Sequence, residues 1–188
     1  MRAKILVVDD DPDILLSLQN RVSFMGHEPL TATNGKDALR LIGEEAPDLV
    51  LLDLKIPDIT GLEVLKQVAA ASIPSQLKGE ETTQTTPYTT PLIVILTAYG
   101  TIELAVQAMQ LGAFDFVPKP FTADHLTVVI KKALDTVTLH RQIDTLRKEV
   151  DDQFEPIVST TKQMSDQLTV AKQAASKGIF YDEQKLLE

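Results

Sequence analysis

The chain has 188 residues, a net charge of −9 and no cysteine. Its 44 % hydrophobic and 24 % charged content is that of an ordinary globular protein, long enough for one domain with a core plus an extension. The acidic charge argues against direct nucleic-acid binding, the missing cysteines exclude disulfides and thiolate metal sites, and no apolar run reaches the roughly 18 residues of a membrane span.

Five short apolar segments with strand character alternate with five segments whose apolar residues recur at helical spacing. The predicted strands cover residues 5–8, 29–32, 49–52, 92–96 and 114–117. The predicted helices begin at Asp11 or Pro12, after the turn Asn34-Gly35 at 36, at 62, near 102, and near 122–124, with the last reaching 137. This alternation predicts an α/β fold, a flavodoxin-like doubly wound five-stranded parallel sheet of order 2-1-3-4-5, with a C-terminal helical extension.

Polar side chains stand where these predicted strands end. Asp9 and Asp10 follow the first strand, Asp53 follows the third, Thr97 follows the fourth, and Lys119 comes shortly after the fifth. Because the carboxyl ends of parallel strands meet at one edge of the sheet, we expect these side chains to converge there. Oxygen ligands of this kind suit Mg²⁺, and an ionised aspartate beside a phosphoryl donor is a workable nucleophile. A lysine and a hydroxyl can contact phosphoryl oxygens.

Four motifs, in this order and spacing over about residues 3–137, resemble the receiver domain of two-component response regulators. They are Val7-Val8-Asp9-Asp10, Asp53 with Pro57 and Gly61, Thr97-Ala98, and Lys119-Pro120-Phe121. The resemblance implies phosphorelay signalling, in which a sensor histidine kinase or a phosphotransfer protein supplies the phosphoryl group. It implies a protein that is not an enzyme beyond its self-catalysed phosphoryl transfer and hydrolysis, and that works in the cytoplasm.

The resemblance also implies the acceptor and the metal ligands. Asp53 is then the phosphoacceptor. Asp10 and Asp53 are expected to bind Mg²⁺ directly, Asp9 through water, and Lys55 through its backbone carbonyl. An acidic helix start is the plainer interpretation of the aspartates from residue 9 onward. A calcium-binding EF-hand loop is excluded, because the sequence lacks the glycine and the glutamate that such a loop needs.

The remaining roles implied by the resemblance concern the response to phosphorylation. Thr97 and Lys119 are expected to contact the phosphoryl group, and Phe116 stands where the family has an aromatic switch residue that turns inward with the threonine. Plain core packing is the alternative for Phe116. A cis peptide bond between Lys119 and Pro120 is implied as well.

We divide the chain into a receiver at 1–137 with a long polar loop at 72–91, a helical linker at 138–153, and a tail at 154–188. Segments 99–103 and 112–119 resemble receivers of nitrogen-regulator-type AAA+ transcription activators, and the tail resembles the start of the AAA+ domain. No phosphate-binding loop motif occurs, so we expect an activator truncated before its ATPase and DNA-binding domains. An apolar stripe at heptad spacing in the linker predicts either a coiled coil of a homodimer or a helix packed on its own domain: Leu139, Ile143, Leu146 and Val150.

Two other functions compete with this interpretation. A haloacid-dehalogenase-like phosphatase also uses an aspartate nucleophile, but that class carries a second aspartate two residues later, where this chain has Lys55. The other alternative is an interaction module whose site is never phosphorylated.

Overall fold

The structure is a computed structural model that describes residues 2–71, 90–98 and 101–146. Its strands are β1 Lys4–Val8, β2 Glu28–Ala32, β3 Leu49–Leu52, β4 Leu92–Thr97 and β5 Asp115–Pro118. Its helices are α1 Pro12–Phe24, α2 Gly35–Glu45, α3 Gly61–Ala71, α4 Ile102–Gln110 and α5 at 123–146. The strands form one parallel sheet in the order β2-β1-β3-β4-β5, which confirms the predicted fold.

The three central strands are buried on both faces, which is why they read as continuous apolar runs in the sequence. Each face has its own hydrophobic core. One core includes Val64 and Ala108 and lies beneath α2, α3 and α4. The other includes Leu18 and Ile130 and lies beneath α1 and α5. Helices on both faces leave the carboxyl ends of the strands as the open edge at which a site can form.

Apart from the end of the fifth helix, the predicted boundaries differ from the observed ones by one or two residues at most. Asn34 is the N-cap of α2 rather than part of a free turn, since its side chain accepts a hydrogen bond from the Asp37 amide. β4 extends through Thr97, which pairs with Pro118 at the end of β5. Because β5 is an edge strand, the missing N–H of that proline is tolerated there.

The fifth helix continues beyond the predicted end at 137 as far as residue 146. The chain divides into two compact units, Met1–Thr138 and Leu139–Glu188. Within 139–146 the side chains of Leu139, Ile143 and Leu146 are exposed. Positions 72–89 of the predicted polar loop, Val150, the rest of the linker from 147 and the tail at 154–188 lie outside the described residues. Over the ranges given above, no helix is long and apolar enough to cross a membrane.

Candidate functional site

Asp9 and Asp53 are brought together by the pairing of the two strands that precede them. β1 and β3 run in register, with Val8 beside Leu52, so the next residue of each strand faces the same edge of the sheet. The backbone N–H of Asp53 donates to the carbonyl of Val8 at 2.9 Å. Both aspartates are buried, with 2 % and 7 % of their surface exposed. Two carboxylates this close and this buried need a compensating positive charge.

Lys119 supplies that charge. Its Nζ lies 2.5 Å from Asp9 Oδ2 and 2.6 Å from Asp53 Oδ2, and only 12 % of its side chain is exposed. Burial by itself favours the neutral lysine, but the hydrogen bonds that the ammonium donates to Asp53 and Asp9 outweigh burial and raise the pKa of Lys119 above its ordinary value. The lysine is therefore a fixed ammonium that holds the two carboxylates in place.

The second oxygen of each carboxylate is held by the backbone. Asp9 Oδ1 accepts from the Asp11 amide at 3.1 Å, and Asp53 Oδ1 accepts from the Lys55 amide at 3.0 Å. Asp10, by contrast, is exposed. The structure thus joins Asp9, Asp53 and Lys119 directly and leaves Asp10 at the rim.

The donor set suits a hard cation, because it consists of carboxylate oxygens with a backbone carbonyl of Lys55 nearby in sequence. Among residues 2–71, 90–98 and 101–146, no group of three or more aspartate, glutamate or histidine side chains lies close enough to hold a metal ion without rearrangement. Asp9 and Asp53 instead direct one oxygen each toward Lys119. A divalent cation at this edge therefore shares the carboxylates with the lysine or takes its place.

Thr97 is fully buried at the end of β4, next to the lysine that follows β5. Its carbonyl accepts from the Lys119 amide at 2.9 Å, and the Lys119-Pro120 peptide bond is cis, as the resemblance implies. Side chains alternate between the faces of a strand, so Thr97 and Ile95 point to the same face. Phe116 pairs with Ile95 and packs, half-buried, on that face. The predicted switch pair is therefore placed on one face of two neighbouring strands.

The loop from Asp53 to Gly61 is packed without free space at its end. A Cβ on Gly61 would lie 2.8 Å from the Leu54 Cα and closer still to the Asp53 carbonyl oxygen, so only glycine fits. Asp58 has a positive φ of 68°, and its carboxylate accepts from the amide of Gly35 at the start of α2. No local pattern pairs Asp58 with a glycine 23 residues away.

Known proteins resemble this chain over the residues that form the sheet and its helices. A family model described as the response regulator receiver domain matches residues 5–131. Regulatory protein AtoC of Escherichia coli (strain K12) is 32 % identical over 165 residues, which are 87 % of this chain and 32 % of AtoC. Sporulation initiation phosphotransferase F of Bacillus subtilis (strain 168) is 34 % identical over 134 residues, which are 71 % of this chain and 95 % of that protein.

One of the similar solved structures is that of a longer chain. The crystal structure of NtrX from Brucella abortus matches with a TM-score of 0.63 and 35 % identity, covering 78 % of this chain and 30 % of that chain. The present chain thus spans about a third of the length of AtoC and of NtrX, and nearly the whole of phosphotransferase F.

Proposed function

The chain belongs to the response regulator receiver family, and on that premise we propose that Asp53 accepts a phosphoryl group in a Mg²⁺-dependent transfer from a sensor histidine kinase or a phosphotransfer protein. Its relatives place the chain in phosphorelay signalling, and receivers are signalling modules rather than classical enzymes. This membership favours signalling over a haloacid-dehalogenase-like phosphatase.

The observation that carries the proposal is the ammonium of Lys119 between Asp9 and Asp53, at 2.5 and 2.6 Å. A carboxylate held beside a fixed cation is kept in one orientation, which a nucleophile requires. In the proposed step an Asp53 oxygen forms a P–O bond while the P–N bond to the donor histidine breaks, and the imidazole leaves with a proton. Lys119 then offers its charge to the phosphoryl oxygens. Little further covalent chemistry is needed.

Asp9, Asp10, Asp53 and the backbone carbonyl of Lys55 are the residues proposed to hold Mg²⁺. When bound, the ion neutralises negative charge on the phosphoryl oxygens. The burial of Asp9 and the exposure of Asp10 support different roles for the two side chains. Asp9 lies on the inner side of the proposed ion site, and Asp10 lies on its solvent-exposed side.

Thr97 and Phe116 are proposed to report phosphorylation to the surface. A phosphoryl group on Asp53 attracts the Thr97 hydroxyl, and movement of that side chain changes the space beside the face on which Phe116 packs. The charge thereby shifts an existing equilibrium between two conformations. The proposal also includes a homodimer formed through the linker and a cytoplasmic location. Its direct partners are proteins rather than nucleic acid, which the net charge of −9 supports.

Phosphorylation with a small phosphodonor tests the acceptor directly. Wild type incubated with acetyl phosphate and Mg²⁺ is expected to gain one hydroxylamine-labile phosphoryl group per chain, detected by intact mass. Asp53→Asn is expected to gain none, while Asp13→Asn, which changes an exposed aspartate in α1, is expected to match wild type. Stoichiometric uptake at one site by Asp53→Asn contradicts the assignment.

A further inference from the structure

Asp58 joins the loop that follows the proposed phosphoacceptor to the start of a neighbouring helix. Its Oδ1 accepts from the Gly35 amide at 3.0 Å and its Oδ2 from the Lys36 amide at 3.3 Å. These are the first two amides of α2. The carboxylate therefore binds the N-terminus of that helix with both oxygens, in the geometry that the helix dipole favours.

Asp58 accepts from two of the three first-turn amides of α2 that have no acceptor within the helix. The helix's own N-cap, Asn34, accepts from the third, the amide of Asp37, through its side chain at 2.8 Å, and the Ala38 amide makes the first helical hydrogen bond to the Asn34 carbonyl at 3.1 Å. The amides of Gly35 and Lys36 are left for Asp58. The capping of this helix is thus shared between its own sequence and the loop after β3.

The loop and the helix also touch through their backbones. The Gly35 amide lies 3.4 Å from the carbonyl of Pro57, and a Cβ on Gly35 would come within 2.7 Å of the carbonyl oxygen of Ile59. The approach is possible only because position 35 has no side chain. Asp58 itself has a positive φ of 68°, so its backbone is fixed in a conformation that few residues adopt.

The other half of the same loop is fixed at the acceptor. Lys55 donates its amide to Asp53 Oδ1 at 3.0 Å, and Gly61 donates to the carbonyl of Leu54 at 3.0 Å. Leu54 and Ile56, on either side of Lys55, are each only 8 % exposed. The backbone carbonyl of Lys55 therefore lies in a segment anchored to Asp53 on one side and, through Asp58, to α2 on the other.

We propose that Asp58 is a positioning residue of the phosphoryl-transfer site: its clamp on the amides of Gly35 and Lys36 fixes the loop that carries the Lys55 carbonyl, and so sets the Mg²⁺ affinity and phosphorylation rate at Asp53. This inference rests on the proposed function. Asp58 acts through the backbone of the loop and touches neither the cation nor the phosphoryl group.

Asp58→Gly tests the clamp, because glycine accepts the positive φ of this position and removes the carboxylate. Mg²⁺ affinity measured by isothermal titration calorimetry is expected to fall about tenfold, the lower end of the effect of groups that orient metal ligands. Amide hydrogen exchange at Lys55 and Gly61, measured without Mg²⁺, is expected to quicken. Phosphorylation by acetyl phosphate at subsaturating Mg²⁺ is expected to slow and to recover at saturating Mg²⁺.

Two further variants separate positioning from loss of stability. Gly35→Ala removes no charge but forces the loop away from α2, and is expected to lower Mg²⁺ affinity in the same way. Asn34→Ala removes the helix's own cap and is expected to lower the unfolding midpoint while Mg²⁺ affinity stays at the wild-type value.

The outcomes distinguish the inference from the function on which it rests. Wild-type Mg²⁺ affinity in both Asp58→Gly and Gly35→Ala overturns the positioning role alone, as does an equal loss of affinity in Asn34→Ala. A wild-type protein that takes up neither Mg²⁺ nor a phosphoryl group overturns the proposed function and the inference together.

Discussion

Lys119 compensates two carboxylates that the sheet places side by side. Asp9 and Asp53 follow paired strands, so their proximity is a consequence of backbone pairing rather than of their own attraction. Without the lysine, the buried pair repels. A divalent cation bound as proposed would share these oxygens with the ammonium or take its place, so the same three side chains would serve both stability and the proposed function.

Replacing the lysine is expected to destabilise the protein. Lys119→Met leaves Asp9 and Asp53 buried without a counter-charge, and the free energy of unfolding without Mg²⁺ is expected to fall by about 3 kcal/mol. Lys132→Met, which removes an exposed ion pair with Asp115, is expected to cost less than about 1 kcal/mol. Chemical denaturation measures both. Equal losses in the two variants argue against a compensating role for Lys119.

The destabilisation by Lys119→Met is expected to depend on pH and on Mg²⁺. The folded-state pKa of Lys119 is raised above 10.5, so its stabilisation is complete below that pH and is lost as the pH rises through the folded-state pKa. The stability difference between wild type and the variant should therefore hold from neutral pH to about 10 and shrink above it.

Mg²⁺ is expected to stabilise the variant more than wild type, since it replaces the missing charge; an equal effect contradicts this.

At the scale of elements, the turn from β3 into α3 is limited by space. Gly61 follows the acceptor loop so closely that any side chain meets backbone atoms of Asp53 and Leu54, which cannot rotate away. Gly43, within α2, has nothing within 4 Å of the position of a Cβ. A side chain is therefore excluded at Gly61 and has free space at Gly43, and the spacing of the two glycines along the sequence does not reveal this difference.

This contrast gives a matched pair of alanine substitutions. Gly61→Ala is expected to lower the free energy of unfolding by about 1–3 kcal/mol through overpacking, and to weaken phosphoryl uptake because the loop after Asp53 must shift. Gly43→Ala is expected to raise it by up to about 1 kcal/mol through helix propensity. Thermal unfolding measures both, and destabilisation by Gly43→Ala together with a neutral Gly61→Ala runs against this account.

At the scale of the whole molecule, the apolar side chains of residues 139–146 have the spacing of a heptad seam. Leu139, Ile143 and Leu146 are exposed in the part of the chain that the structure describes, which leaves them available to a second copy. The stripe spans less than the three or four heptads of a firm coiled coil, so association is expected to be concentration-dependent.

Light scattering tests this association. The full chain is expected to show a dimer mass at high concentration, and more dimer with beryllofluoride, which imitates the phosphoryl group. Leu139→Lys combined with Ile143→Lys is expected to give a monomer, because charge in the seam opposes pairing, whereas Gln142→Lys beside the stripe is expected to remain a dimer. A monomer mass for wild type under both conditions refutes the dimer.

The sequence alone was sufficient for the sheet, its strand order, and the placement of Asp9, Asp53, Thr97 and Lys119 at one edge. Hydrophobic periodicity is local, and parallel strands bring their carboxyl ends together whatever the loops between them. Most predicted element boundaries were displaced by one or two residues, because capping depends on side-chain contacts such as that of Asn34 with the Asp37 amide. The end of the fifth helix was displaced further, from 137 to 146.

Tertiary structure alone decided which of these neighbours touch. Lys119 is 110 residues from Asp9 and 66 residues from Asp53 along the chain, yet it contacts both. Asp58 contacts Gly35, which is 23 residues away. Such distances are fixed by strand pairing and loop packing in three dimensions, and residue spacing does not encode them. For that reason the sequence placed the proposed acceptor and the lysine at one edge of the sheet, whereas only the fold revealed that Lys119 bridges Asp9 and Asp53 and that Asp58 joins the loop after Asp53 to α2.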